Sequence, residues 1–187
     1  MIDGLLPRLE ALARQRDPQG TAGMERNDYV ARFTKSGSVH ELRLQHIPRF
    51  SWCSTYSVPL TGATGRWFLE SKWVWFPEKS GCKKVKLAPL DERFKLHASD
   101  EAFFREVFGE PKLSGSLMQL PPDNHVKASL KDGVLSLLFR VRFSARAVDP
   151  NVILPVCAEA VIAIGLECFS SVQMARLTRG EISRFET

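Results

Sequence analysis

The sequence predicts an α+β protein in which a twisted antiparallel sheet of about six to eight strands packs against a long C-terminal helix, with an amphipathic helix at the N-terminus. Three patterns support this class. Near the N-terminus, apolar residues recur at the helical spacing of three and four. Through the middle of the chain they alternate with polar residues, as in strands. Between Val152 and Phe169 they form a nearly continuous run, as in a buried helix.

The chain has 187 residues, of which 44% are hydrophobic and 25% are charged. This length and balance are typical of one globular domain and exclude a disordered or fibrous protein. The four cysteines form no Cys-x-x-Cys pair, which favours free thiols in a reducing compartment. Because no secretory signal pattern follows Met1, we expect a cytoplasmic protein of bacterial type.

The N-terminal segment is predicted to be an amphipathic helix, because Leu5, Leu9 and Leu12 fall on one face. Its arginines lie opposite this face, a pattern compatible with a protein partner, a homodimer contact or an anionic membrane surface. The alternative is that the helix packs on its own domain. We divide the chain into an N-terminal helix (residues 1–16), a linker (17–27), a single α+β domain (28–175) and a C-terminal tail (176–187).

Inside the domain, turn residues separate the predicted elements. Asp132-Gly133 is the strongest hairpin signal, because a type I′ turn needs positive φ at both central positions. Ser99 is predicted to cap a helix with its hydroxyl. The predicted elements are a hairpin (28–44), two extended segments (50–58 and 66–76), a strand (93–97), a helix (99–108), a short helix (112–120) and a second hairpin (126–143).

The apolar run from Val152 to Phe169 is long enough to suggest a membrane span. It contains Pro155, Glu159 and Glu167. A carboxylate at the centre of a bilayer costs about 2.5–3.5 kcal/mol on insertion scales. We therefore predict the core helix of the domain and no transmembrane segment.

The tryptophans are unusually clustered, since all four fall between residues 52 and 75. If residues 66–76 form one strand, Trp67, Trp73 and Trp75 share a face. Such a face could stack bases or sugars, or bind a protein partner. The alternative is a sheet face buried under a helix, because indoles are large core side chains.

A second candidate surface is basic. Strand alternation in the second half of the chain places cationic side chains on the sheet face opposite the core. The positions selected are Arg93, Lys95, Lys127, Arg140 and Arg142, accompanied by Lys83, Lys84, Lys86, His97, Lys131 and Arg146. This face predicts attraction to a polyanion or an anionic membrane surface. The alternative is a solvated face whose cations deter edge pairing.

No catalytic or cofactor motif occurs in the sequence: there is no G-x-S-x-G elbow, P-loop, G-x-G-x-x-G fingerprint or H-E-x-x-H. His40 and His46 would lie about 20 Å apart on one strand, too far to share a metal. Glu159 and Glu167 are two helical turns apart, too far for an acid–base pair. We predict no catalytic residue, metal or cofactor.

The run Arg93–Phe108, followed by Leu113–Leu120 and the Val126–Phe143 hairpin, resembles a recurrent domain of uncharacterised bacterial proteins of unknown function. The likeness covers residues 90–170 and consists of a strand, a helix ending in a leucine pair, a short helix and a hairpin. Members of that family typically carry membrane-spanning segments ahead of the domain, and none is predicted here. The resemblance implies no catalytic residues and favours a non-enzymatic role.

Two functions remain from the sequence. The first is a binding or protein-interaction module that uses the tryptophan-rich face or the basic face. The second is a small-ligand-binding protein or enzyme with a pocket between the sheet and the C-terminal helix, where Glu159 or a histidine supplies polar chemistry.

Overall fold

The computed structural model describes residues 4–47, 51–72, 81–121, 124–142 and 150–182. Within them the fold is α+β with one antiparallel sheet, a long C-terminal helix and an N-terminal helix, so the predicted class is confirmed. The sheet has nine strands, slightly more than predicted. The helices are α1 (Leu5–Arg14), α2 (Leu90–Arg93), α3 (Glu101–Phe108), α4 (Pro111–Gln119) and α5 (Pro150–Thr178). The strands are β1 (Thr21–Glu25), β2 (Asp28–Lys35), β3 (Ser38–Ile47), β4 (Ser51–Pro59), β5 (Trp67–Ser71), β6 (Lys83–Val85), β7 (Phe94–Ala98), β8 (His125–Lys131) and β9 (Val134–Arg142).

The strand order across the sheet is β1-β2-β3-β4-β9-β8-β5-β7-β6. The first four strands form a meander, and β8 and β9 form the second predicted hairpin. β4 pairs with β9 and not with its chain neighbour β5, which lies between β7 and β8. The pairing of β4 with β9 therefore joins the N-terminal meander to the rest of the sheet.

Both predicted hairpin turns are confirmed. Asp132 and Gly133 have φ of 51° and 72°, and Ser36 and Gly37 have φ of 49° and 69°. Positive φ at two successive positions is the conformation of a type I′ turn, whose twist matches that of the paired strands.

The predicted linker contains strand β1, which pairs along its whole length with β2. The chain returns from α1 to β1 in a tight turn, in which a Cβ on Gly20 would lie 2.6 Å from the backbone of Ala13. Asp17 accepts hydrogen bonds from the backbone N–H groups of Gln19 and Thr34. Backbone pairing therefore makes residues 17–27 part of the domain. The spacing of residue types in the sequence does not reveal such pairing.

Two further boundaries differ from the prediction. Asp100, and not Ser99, caps α3, because its carboxylate accepts the Phe103 N–H at 2.9 Å. The Ser99 hydroxyl instead bonds to the backbone of Arg66. The predicted tail begins inside α5, where Arg176 is 3% exposed and donates to the carbonyl oxygen of Thr61 at 2.8 Å.

The helices lie on one face of the sheet and enclose the core. α5 packs across β3, β4 and β9, with α1 on one side and α3 and α4 on the other. The leucine face of α1, including Leu5, Leu9 and Leu12, is buried in its own domain. The opposite face of the sheet carries none of these helices, and we call it the open face.

Part of α5, Ile153–Thr178, is long and apolar enough to cross a membrane by length and composition alone. In this fold 44% of its most apolar window is buried. The core helix of a soluble protein has the same properties, so this feature does not distinguish a core helix from a membrane span.

Candidate functional site

Strand register arranges the open face in rows that run across the sheet, because directly paired residues point to the same side. One row consists of Arg32, Glu41, Ser57, Ser136, Ser129, Phe68, His97 and Lys84. The next row consists of Val30, Arg43, Thr55, Leu138, Lys127, Glu70 and Lys95. A third consists of Gln45, Cys53, Arg140 and His125.

At the β1–β3 end of the open face, charges of both signs form an ion-pair network. Arg32 donates to Glu41 at 2.7 and 2.9 Å and also pairs with Glu25. Arg43 pairs with Glu41, Glu25 and Asp28 at 3.0–3.2 Å. These carboxylates raise the pKa of both guanidinium groups and neutralise this end of the face.

The middle of the open face carries hydroxyl groups and one thiol. Ser129 and Ser136 hydrogen-bond to each other at 3.0 Å across the β8–β9 hairpin. Cys53 is 6% exposed, and burial raises the pKa of its thiol. A thiol of raised pKa is a poor nucleophile at neutral pH, so this position does not suggest cysteine chemistry.

At the other end of the open face, formed by β9, β8, β5, β7 and β6, cations outnumber carboxylates at the described positions. We call this surface the basic half, and it comprises Lys84, Lys95, Lys127, Lys131 and Arg140 with one carboxylate, Glu70, among them. Glu70 lies between Lys127 and Lys95 in one row and is 1% exposed. The Lys127 ammonium lies over the Phe68 ring, 5.8 Å from its centre.

The structure places three residues of the predicted basic face, Lys95, Lys127 and Arg140, half-buried on the same side of the sheet, with β5 between the strands of Lys127 and Lys95. Arg93 does not belong to this surface. Its guanidinium donates to the carbonyl oxygens of Met118 and Pro121 at 2.9 and 2.7 Å, at the end of α4.

The position of Arg93 has a simple cause. It is the last residue of α2, so the strand alternation that placed it on the sheet face begins only at Phe94. Burial also lowers the pKa of Arg93. Arg93 therefore satisfies helix-end carbonyl groups, which is a structural role.

The tryptophans do not form a described surface. Trp67 is 1% exposed and packs edge-on against Phe108 at 4.8 Å and Phe104 at 6.1 Å, under α3. The buried alternative weighed from the sequence therefore describes Trp67. Trp73, Trp75 and the side chain of Arg142 lie outside the described residues.

With this geometry established, the chain can be set beside known proteins. Comparisons with protein-family models, curated proteins and solved structures found no match. The resemblance of residues 90–170 to a bacterial domain of unknown function is therefore neither supported nor opposed by a relative. Functional inference rests on the chemistry of the surface.

The middle of α5 leaves no pocket against β4. A Cβ on Gly165 would lie 2.6 Å from Cγ and Cε1 of the Tyr56 ring, so the helix backbone rests directly on that strand. Glu159 is exposed on the outer side of α5 and does not point toward the sheet. Glu159 therefore supplies no polar group to the contact between α5 and β4.

The histidine nearest that contact, His40, is a core residue with 0% exposure. Its Nδ1 is 2.5 Å from the Tyr56 hydroxyl, and its Nε2 is 3.2 Å from the Lys35 carbonyl oxygen. Because that carbonyl can only accept, Nε2 carries the proton and Nδ1 accepts from Tyr56. Burial lowers the pKa of His40, so the ring is neutral.

Sequence reasoning treated His40 only as a possible metal ligand. Its alternation with Leu42 and Leu44 was the available signal that it faces the core. Among the described residues, no cluster of three or more His, Cys, Asp or Glu side chains could hold a metal ion.

Proposed function

We propose that this chain is a non-enzymatic binding protein whose basic half docks a polyanion. The observation that carries the proposal is the placement of Lys95, Lys127 and Arg140 on β7, β8 and β9, on the sheet face that carries none of the described helices. Lys127 and Lys95 are separated by one strand, so their backbones lie about 10 Å apart. A polymer with regularly spaced negative charges can contact several of these cations at once.

The opposite end of the open face supports this choice of surface. Arg32 and Arg43 are also cationic, but each is held by carboxylates of β1–β3. An incoming anion would have to compete with these carboxylates. Among the described open-face positions of the basic half there are five cations and one carboxylate, Glu70, so the net charge there is positive and favours an anionic partner.

The N-terminal helix is a weaker candidate for partner binding. Its leucine face is buried against β1, β2 and α5, so a partner could bind this face only by displacing contacts within the domain. A homodimer through the exposed side of α1 remains a separate proposal, which sedimentation velocity of the intact protein would test.

The experiment is retention on heparin at low salt, followed by elution in a salt gradient. The test variant is Lys95→Glu/Lys127→Glu, and the charge-matched control is Lys83→Glu/Lys112→Glu. Lys83 and Lys112 are exposed and lie outside the basic half. We expect the test variant to elute at markedly lower salt than the control, because counterion release scales with the number of contacts.

Two results would contradict polyanion docking. The wild-type protein could pass through unretained at low salt, or the test and control variants could elute together. Thermal unfolding of both variants checks that a change in retention does not come from a loss of folding.

A further inference from the structure

The open face contains a cleft of about 380 Å³ at its outer edge, where β5 ends and β7 begins beside β6. Its lining residues are Lys72, Lys84, Val85, Lys86, Asp91, Phe94, Lys95 and Leu96. The cleft shares Lys84 and Lys95 with the basic half. A volume of this size accommodates a ligand the size of a mononucleotide or smaller.

The rim of the cleft is strongly cationic. Four of its eight lining residues are lysines and one is an aspartate, which gives a formal charge of +3. Lys72, Lys84 and Lys86 are exposed, and within the described part of the chain none of them forms an ion pair. A dianionic group entering the cleft can therefore meet several ammonium groups without first displacing a described carboxylate partner.

The apolar residues of the lining add little to the surface of the cleft. Val85, Phe94 and Leu96 are each 2% exposed or less, and strand alternation turns their side chains toward the helix-covered face, away from Lys84 and Lys95. The lysines therefore set the chemistry of the cleft, and an occupant that matches it needs a strongly anionic head.

The pattern favours a phosphate monoester over a carboxylate. A phosphate head has three terminal oxygens and nearly two negative charges at neutral pH, so it can engage several lysines, whereas a carboxylate carries one charge. Asp91 repels an anion on its side of the cleft and so favours a head placed toward Lys84 and Lys86. We infer that this cleft binds a phosphate monoester.

This inference deepens the proposed function, since the cleft lies at the end of the basic half. The phosphate head could belong to a soluble metabolite or to a lipid. Both sources share the same recognition chemistry, and the experiment below separates them.

The soluble arm uses isothermal titration calorimetry with phenyl phosphate, benzoate and benzyl alcohol. We expect phenyl phosphate to bind more tightly than benzoate, and benzyl alcohol not to bind. Lys84→Gln should weaken phenyl phosphate binding by about fivefold, the upper range for one partly exposed charge contact. The matched control is Lys83→Gln, which removes a neighbouring exposed lysine that does not line the cleft.

The lipid arm uses flotation with phosphatidylcholine vesicles, with and without phosphatidate. Flotation that depends on both phosphatidate and Lys84 assigns the head group to a lipid, and phenyl phosphate binding without flotation assigns it to a soluble ligand. The inference is wrong if phenyl phosphate does not bind, if benzoate binds equally well, or if the two lysine variants weaken binding equally.

A third variant separates this inference from polyanion docking. Lys127→Glu lies outside the cleft, so it should reduce heparin retention and leave phenyl phosphate binding unchanged. A wild-type protein that binds phenyl phosphate but not heparin would overturn polyanion docking alone. A protein that binds heparin but not phenyl phosphate would overturn the cleft alone.

Discussion

The helix-covered face and the open face of the sheet come from the same strands, yet their side chains meet different neighbours. On β3, Leu42 and Leu44 are fully buried under the helices, while the intervening Arg43 lies among carboxylates. On β8, Ala128 is fully buried, while Lys127 lies half-exposed over Phe68. Alternation along each strand thus divides the sheet into a buried face that stabilises the fold and an open face that carries charged side chains.

Tolerance to substitution should therefore differ sharply between the two faces. Contacts on the covered face are close and leave little space, so added atoms or new charges there disturb packing. Ion pairs on the open face are partly solvated, and each contributes little to stability. Substitutions on the open face should therefore alter binding more than folding.

The largest expected effect is at the contact between α5 and β4. Gly165→Ala would place a methyl group against the Tyr56 ring, whose hydroxyl is fixed by His40. We expect the free energy of unfolding to fall by about 3 kcal/mol, the cost of overpacking a core that cannot relax freely. Urea unfolding followed by circular dichroism measures the change.

Gly115→Ala on α4 is the control for that measurement. A Cβ on Gly115 would have no neighbour within 4 Å, so the substitution should be neutral or stabilising by up to about 1 kcal/mol. Equal destabilisation by the two substitutions would contradict the close contact of α5 with the sheet.

A smaller effect, dependent on pH, is expected at His40. Its pKa in the folded state is lowered by burial below the ordinary value of 6.5. Protonation therefore favours the unfolded state, so the stability contributed by neutral His40 is present above about pH 6.5 and is lost as the pH falls below it. At pH 7.5, His40→Gln should cost about 2 kcal/mol, because the buried Tyr56 hydroxyl loses its acceptor.

Unfolding free energies at pH 7.5 and pH 5.5 test this prediction. The difference between wild type and His40→Gln should narrow at the lower pH. His46→Gln, at an exposed position of the same strand, is the control for replacing a histidine outside the core. A constant difference between wild type and His40→Gln would show that His40 titrates at its ordinary pKa.

The smallest effect is expected on the open face. Glu41→Gln removes the shared partner of Arg32 and Arg43, both of which remain partly exposed. The loss of unfolding free energy should be less than about 1 kcal/mol and should shrink in high salt. A double-mutant cycle with Arg32→Gln measures the coupling, and a value near that of Gly165→Ala would remove the distinction between the faces.

Local spacing along the chain is enough to predict most of the helices and turns of this protein. The Ser36-Gly37 and Asp132-Gly133 turns, the helical spacing of the N-terminal leucines and the apolar run of α5 each depend on residues close together in the chain. For the same reason the sequence correctly suggested that Lys95, Lys127 and Arg140 lie opposite the core. Strand alternation is a local property, and a strand cannot be shifted by one residue without reversing both faces.

Which of these elements contact one another depends on long-range packing and is seen only in the folded chain. The pairing of β4 with β9, the strand in the predicted linker and the use of Arg93 at the end of α4 all join segments that are distant or unmarked in the sequence. The pairing of β4 with β9 separates the ion-paired end of the open face from the basic half, and the pairing of β7 with β5 and β6 gathers four lysines around one cleft. Long-range pairing depends on the packing of the whole chain. Local spacing therefore predicts on which face of the sheet a charged side chain lies, but not which residues surround it.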